Sequence, residues 1–469
     1  MALTVTNVNT LTLLNIMNRT ASDQTASLQR LSTGNRINRG YDDPAGLLAL
    51  KGIESELTSV NAAIISDQRT DAMLSVTDSA LNEIGSLLDE IQSLAAQSSN
   101  EAGLTGSQLS ANQTQIDNAI ASIDRIIRTT TYNGQKLLDG TLGINVSGGG
   151  DLDSIHVYMR DPGSTVTSYV MRTVDIASQA ITTGTGYLAN AVPTSATTIE
   201  VKGTLGTQVI EIAANEALSS ISAKINDVAS LTGVNASQAG GGTAAIHLHS
   251  TDYGSNAFVK VNILEGGAAF NQIDESGRDA VVTVNGQLAS ADGRQIYFSH
   301  AGLNMSFKLN ATSNVRDYST NFTIDTKSGA TFQLGVDSST RVTMGIDGMY
   351  SQQLGTGSAG EVLSALKSGG TYSLTADPGK AAEIATAAKQ QIATLQGRIG
   401  GFQKYQVQTS LNSLNAAKES LTSVKSIIGD VDYAWETSQL SKQNVLMQSA
   451  IALLGLANQQ SSQVLSLLR

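Results

Sequence analysis

The chain has 469 residues and a formal net charge of −11, and only 15% of its residues are charged and 4% aromatic. A chain of this length is too long for one compact core and is expected to form two to four domains. The acidic balance argues against nucleic acid, whose phosphates require a basic face. The scarcity of aromatic residues favours long helix–helix contacts over a deep ligand pocket.

The sequence contains no cysteine, which excludes disulfides and thiolate metal sites. Residues 1–23 have no cationic region and no small-residue cleavage site, so they do not resemble a secretory signal. No run of about 18 apolar residues occurs, so we expect no membrane insertion. On composition alone, a cytoplasmic protein is the simplest expectation.

Residues 3 to 33 carry apolar groups at alternating spacings of three and four, including Leu14, Met17, Leu28 and Leu31. This spacing predicts a narrow coiled-coil seam. Because the rest of the helix is polar, packing must offset the cost of ordering it, and we expect disorder in the free monomer.

The dipeptide Asp43-Pro44 predicts the start of a second helix, with the aspartate as N-cap and the proline in the first turn. The helical spacing continues to about Ser99, which gives a length of roughly 80 Å. A further helix with isoleucines on one side follows, and Tyr132-Asn133-Gly134 then predicts a turn.

From about 140 to 345 the apolar residues alternate with period two, which predicts short strands joined by turns. Asn285-Gly286 indicates a hairpin. Residues 195 to 265 read as strand, strand, helix, strand, strand, which predicts one small α+β module.

Asp377-Pro378 repeats the helix start of Asp43-Pro44 and precedes another very long helix, with a break near Gly429-Asp430. The last helix has a seam consisting of Met447, Ile451, Leu454, Leu465 and Leu468. The predicted fold is therefore α+β. A long antiparallel coiled-coil rod is built from the N- and C-terminal helices, and a β-rich outer region is inserted between them.

Both ends of the chain resemble bacterial flagellin. At the N-terminal end the resemblance rests on 28–38, LQRLSTGNRIN, and 42–47, DDPAGL. At the C-terminal end it rests on 432–434, DYA, and 464–469, VLSLLR. It implies a structural subunit, not an enzyme, that polymerises into the bacterial flagellar filament and serves motility. Export would follow the flagellar type III route to the cell exterior, without a cleaved signal peptide.

The resemblance also implies a division into three domains. Residues 1–40 with 432–469 would form the terminal coiled-coil inner tube, disordered in the monomer. Residues 41–180 with 345–431 would form a helical outer tube with β-hairpins, and 181–344 a surface-exposed variable domain. Two alternatives are a hook–filament junction protein with the same helical ends, and a surface adhesin displayed on the filament.

The implied partners are further copies of the chain in a helical homopolymer, the flagellar cap and hook-associated proteins, and an export chaperone on the C-terminal helix. The seam residues of both terminal helices are expected to make the contacts between subunits. Arg30 and Arg36 are expected either to pair with neighbouring copies or to be solvated loop charges. No catalytic, cofactor-binding or metal residue is assigned.

One departure from the family concerns the vertebrate innate flagellin receptor. Flagellins that it recognises usually carry Gln-Arg-(Val or Ile)-Arg-Glu-Leu-Ala on the first long helix. The matching positions here begin Asp89, Glu90, Ile91, Gln92, Ser93, Leu94, and both arginines are absent. We therefore expect weak stimulation of that receptor.

Overall fold

In the computed structural model, residues 8–99, 103–164, 166–182, 192–238, 245–266, 270–356 and 360–467 are described. The chain separates into two compact units. The first consists of Met1–Gln68 and Val407–Arg469, and the second of Arg69–Gln406. Within the described residues, no helix is both long enough and apolar enough to cross a membrane.

The first unit is helical. It contains α1 (Val8–Thr33), the beginning of α2 (Pro44–Ser98), α7 (Gln408–Gly429) and α8 (Tyr433–Leu467). α2 begins as the sequence predicts, because Asp43 Oδ1 accepts a hydrogen bond from the backbone N–H of Gly46 at 2.8 Å. Gly34 ends α1 with a φ of 73°, a backbone conformation that favours glycine.

The helices of the second unit are the rest of α2, α3 (Gly106–Thr129), α6 (Pro378–Phe402) and two short helices, α4 (Leu218–Asp227) and α5 (Ala229–Thr232). A π-helical turn, Gln403–Val407, follows α6. Asp377 caps α6 by accepting from the backbone N–H of Lys380, which confirms the second predicted helix start. The predicted isoleucine face of α3 is fully buried and consists of Ile116, Ile120, Ile123 and Ile127.

α2 and α6 run antiparallel inside the second unit, and their side-chain contacts keep one register. Gln396 donates to Asn82 at 3.0 Å and Gln92 donates to Thr386 at 3.0 Å. As the residue number on α2 rises by ten, the number on α6 falls by ten. The antiparallel helical pairing predicted from the sequence is confirmed in this region.

The strands all belong to the second unit and pair antiparallel. Those before residue 190 are β1 (Thr131–Tyr132), β2 (Gln135–Lys136), β3 (Val146–Gly148), β4 (Leu152–Arg160), β5 (Ser168–Asp175) and β6 (Gln179–Ile181). Those of the small module are β7 (Thr197–Lys202), β8 (Thr207–Ile212), β9 (Val234–Gln238), β10 (Ile246–Tyr253), β11 (Phe258–Glu265) and β12 (Ile273–Ser276). The remainder are β13 (Val281–Val284), β14 (Gln287–Leu288), β15 (Ser290–Asp292), β16 (Gln295–His300), β17 (Leu303–Leu309), β18 (Ser319–Ile324), β19 (Ala330–Gln333) and β20 (Arg341–Met344).

Two separate apolar cores form among these strands. One lies between a five-stranded sheet, β14-β13-β5-β18-β3, and a six-stranded sheet, β15-β16-β17-β4-β20-β19, and includes Phe307 and Phe322. The other belongs to the module, where a four-stranded sheet, β12-β11-β7-β8, and a three-stranded sheet, β6-β10-β9, enclose residues such as Ile199 and Ile221. The β-rich region is therefore subdivided, as expected from its length.

The predicted strand order of the module is wrong at its C-terminal end. Three strands, β9, β10 and β11, follow the helical segment, where two were expected. The extra break falls at Gly254, whose φ of 113° is a conformation that only glycine adopts readily.

Candidate assembly interface

The terminal helices α1 and α8 pack against each other in the first unit. Gln24 Nε2 donates to Asn444 Oδ1 at 2.7 Å, and Arg30 lies 3.6 Å from Glu436. A backbone bridge joins Asn35 to Asp430 just beyond the end of α1. The residue number falls along one segment as it rises along the other, so the two helices are antiparallel.

Small and polar residues occupy the positions that α1 and α8 bury most deeply. Thr20 and Ser27, seven residues apart on α1, are buried, and Ala450 is buried on α8. Each lies one residue before a predicted seam position, Ala21, Leu28 or Ile451. Small side chains allow two helix backbones to approach closely, so the line of contact is rotated by about one residue from the apolar line.

This rotation divides the predicted seam residues into two groups. Leu14, Met17, Leu31, Met447 and Leu454 are half-buried. Leu28 and Ile451 are 50% and 57% exposed, so α1 and α8 do not bury them against each other in the single chain. Their role as contacts between subunits stays a prediction. The side chain of Leu465 and the whole of Leu468 lie outside the described residues.

Further exposed apolar side chains on the terminal helices were missed by the 3-4 spacing. They lie off the seam line, and their exposure required the structure to detect. They are Val8, Leu11 and Ile16 on α1 and Val445, Leu446, Leu453 and Leu456 on α8. Monomeric proteins seldom expose so many apolar groups on one helix pair, and such surfaces commonly mark contacts with other chains.

Arg30 and Arg36 both have partners within the chain. The Arg36 guanidinium donates to the carbonyl of Ile428 at 2.7 Å, at the C-terminal end of α7, where cations are favoured by the helix dipole. Its backbone N–H donates to Gly429 O at 2.7 Å, and Val431 N–H returns to Gly34 O at 2.9 Å. The sequence analysis expected the arginines either to pair with neighbouring copies or to be solvated, and did not include these contacts within the chain. The contact of Arg30 and Arg36 with neighbouring copies stays a prediction.

A cavity of about 380 Å³ lies beside this junction, inside the first unit. Arg30, Asp42, Trp435 and Glu436 contribute to its wall. The backbone N–H groups of Arg39 and Asn38 donate to Asp42 and hold the pKa of that carboxyl below its usual value. Glu436 is 2% exposed, whereas Trp435 is 56% exposed and presents its indole to solvent.

The segment that corresponds to the receptor motif lies on α2, in the second unit. Ile91 and Leu94 are buried, Gln92 is half-buried, and Asp89, Glu90 and Ser93 are exposed. Asp89 forms an ion pair with Lys389 of α6. Of the two positions that carry arginine in the motif, Glu90 is exposed and acidic, and Gln92 is half-buried and uncharged.

Comparison with known proteins gives the family. The bacterial flagellin N-terminal helical region matches residues 5–142, and the bacterial flagellin C-terminal helical region matches residues 382–468. A putative flagellin of Bacillus subtilis is 33% identical over 30% of this chain and 82% of its own length. The chain belongs to the bacterial flagellin family.

A flagellin of Salmonella typhimurium is 28% identical over 99% of both chains, so the match to that relative spans nearly its whole length. Among solved structures, FliC from Burkholderia pseudomallei matches at 17% identity over 73% of this chain and 99% of that chain. Its TM-score of 0.24 is too low to support an argument. The flagellin is a structural subunit of the bacterial flagellar filament and belongs to a structural family.

Proposed function

We propose that this flagellin polymerises through the exposed apolar side chains of α1 and α8, as the seam residues predicted from the sequence suggest. The supporting observation is the contrast in burial along the helices. The isoleucines of α3 are fully buried within one chain, whereas Leu28, Ile451 and Trp435 are not. Because about half of each side chain is exposed, burying the remainder against a neighbouring copy would release about 1 kcal/mol for each, so association stabilises the terminal pair.

The contact between copies is heterologous in this proposal: one surface of the terminal pair meets a different surface of the next copy. A heterologous contact whose rotation does not close produces an open helical filament. The free monomer lacks these contacts, so ordering of the terminal helices is coupled to addition of the subunit. The assignment of residues 1–40 and 432–469 to an inner tube follows from the resemblance to flagellin and is part of this proposal.

The remaining assignments follow from the same proposal. Residues 41–180 with 345–431 form the outer tube, and 181–344 face outward from an extracellular filament. Before export, an export chaperone binds the apolar face of α8 and shields it from solvent. The cap and hook-associated proteins contact the same terminal helices at the filament ends. The protein carries out no catalysis in this role.

The relatives are flagellins, and this does not favour the alternative of a hook–filament junction protein. The adhesin alternative concerns the outward-facing residues and does not change the assembly mechanism. The junction alternative predicts a scarce component, whereas a filament subunit dominates sheared filaments.

Polymerisation by variants at exposed positions tests the proposal. The double variant Leu28→Ser, Ile451→Ser should raise the critical concentration for filament growth at least about tenfold, because two apolar contacts are lost at each addition. The measurement is sedimentation of seeded filaments over a range of monomer concentrations. Circular dichroism of the monomer should not change, since both side chains are solvent-exposed in the single chain.

Leu205→Ser is the matched control. Leu205 is 61% exposed, comparable to the two test positions, but it lies between β7 and β8 in the small module. Its variant should polymerise with the native critical concentration. A double variant that grows filaments as readily as this control would show that α1 and α8 do not carry the subunit contact.

A further inference from the structure

The chain contains the tripeptide Asn-Gly-Gln twice, at 133–135 and at 285–287. Each copy forms the turn of a hairpin, the first between β1 and β2 and the second between β13 and β14. Asn133 and Gly134 have φ values of 50° and 81°, and Asn285 and Gly286 have 49° and 79°. Both asparagines are exposed. The two turns therefore match in sequence, backbone conformation and exposure.

They differ in how the asparagine is held. Asn285 Oδ1 accepts a hydrogen bond from the backbone N–H of Val170 at 2.9 Å, and Asn285 N–H donates to Val170 O at 2.8 Å. β13 is also paired along its other edge with β5. Among the described residues, the Asn133 side chain has no hydrogen-bond partner, and its hairpin is a separate sheet of two residue pairs.

Asparagine followed by glycine is prone to a spontaneous intramolecular reaction. The backbone nitrogen of the glycine loses its proton and attacks the side-chain carbonyl carbon of the asparagine. A new C–N bond closes a five-membered succinimide while the C–N bond of the side-chain amide breaks and ammonia leaves. Water then opens the ring at either carbonyl and produces aspartate or isoaspartate, so the only other reactant is water.

Ring closure requires the asparagine to leave the left-handed turn conformation so that its side-chain carbonyl can approach the next backbone nitrogen. The turn must therefore open locally before the reaction. At Asn285, opening breaks two hydrogen bonds to a strand of a five-stranded sheet. At Asn133 it disrupts only an isolated two-stranded ladder, a kind of structure that is marginally stable. We propose that Asn133 is a site of spontaneous deamidation in the folded protein and that the contacts with Val170 protect Asn285.

Incubation of the folded monomer at 37 °C in mildly alkaline buffer tests the proposal. Samples taken over time are digested, and mass spectrometry measures the replacement of amide by carboxyl in the peptides containing each turn. Asn133 should convert at least about three- to tenfold faster than Asn285, because one hydrogen bond of ordinary strength already imposes that ratio on local opening and Asn285 has two. Equal rates at the two positions, or faster conversion of Asn285, would overturn the proposal.

The unfolded chain provides the control for intrinsic reactivity. In concentrated denaturant the two peptides should convert at similar rates, because both asparagines precede Gly-Gln. If Asn133 remains faster by the same ratio in denaturant, the difference comes from flanking sequence and the structural explanation is wrong. Deamidation adds one negative charge to the chain, so ion-exchange chromatography follows the same reaction in the intact protein.

Discussion

The terminal helix pair and the β-rich core differ in where they place their large apolar side chains. Between the two larger sheets, Phe307 and Phe322 are fully enclosed, and their ring centres lie 6.5 Å apart. Along α1 and α8, small and polar residues are buried and large apolar ones such as Leu28 face solvent. The core is therefore complete within one chain, whereas the terminal pair satisfies its apolar surface only with further copies.

The largest effect that tests this difference is expected from a truncation in the β-rich core. Phe307→Ala removes a fully buried aromatic ring in β17 and should lower the free energy of unfolding by about 3–5 kcal/mol, because the lost burial leaves a cavity. Urea unfolding followed by circular dichroism measures this change.

Leu28→Ala is the counterpart on the terminal pair. Since Leu28 is half-exposed, its truncation should change the same free energy by less than about 0.5 kcal/mol. A loss from Leu28→Ala as large as that from Phe307→Ala would mean that the terminal pair is already complete in the monomer.

Asp67 is a carboxyl group buried within the first unit. It lies on α2, has no exposed surface, and its carboxylate oxygens are also buried. Burial raises the pKa of Asp67 above its usual value of 3.8, and the hydroxyl of Ser410 on α7 offsets this only in part. Neither Ser410 nor its neighbours Gln408 and Leu411 carries a charge that could compensate the carboxylate.

The sign of the pH dependence follows from that raised pKa. Folding favours the protonated form of Asp67, so its contribution to stability is fully present below pH 3.8 and is lost as the pH rises through the folded pKa. Asp67→Asn should therefore stabilise the protein by about 1–2 kcal/mol at neutral pH. The gain should disappear in acid, which thermal unfolding at several pH values measures. Glu56→Gln, an exposed change on the same helix, should show neither effect.

Local signals in the sequence predicted the helices well. Asp43-Pro44 and Asp377-Pro378 each combine an N-cap with a first-turn proline, and both helices begin there. The isoleucine spacing of α3 also sufficed, because all four residues face one core. These signals depend on neighbours within one or two turns, which the sequence displays directly.

Local signals could not predict which strands pair with each other or which faces of the terminal helices are buried. β17 pairs with β4, about 150 residues earlier, and alternation alone does not select a partner. On α1, both Ser27 and Leu28 fit a seven-residue repeat with earlier residues, and the close approach of α8 selects the smaller one. Tertiary packing therefore determines which face of α1 is buried. The sequence periodicity predicted the helix correctly but placed its buried face about one residue away.

The hydrogen bond between Gln24 and Asn444 gives the smallest and most local test of the comparison. Gln24 is half-buried and Asn444 is exposed, and a polar pair that joins two helices favours one register. In assembled filaments, Gln24→Ala should increase amide hydrogen exchange in α1 and α8 about two- to tenfold, the effect of losing one hydrogen bond, without changing exchange in the β-rich core. The double variant Gln24→Leu, Asn444→Leu should recover the slower exchange, because an apolar pair replaces the polar one.

This double variant should also permit shifted registers of α1 and α8, and filaments assembled from it should then show more than one helical form by electron microscopy. If the double variant assembles into a single form, the register is set by the remaining contacts, of which Arg30 with Glu436 is the nearest.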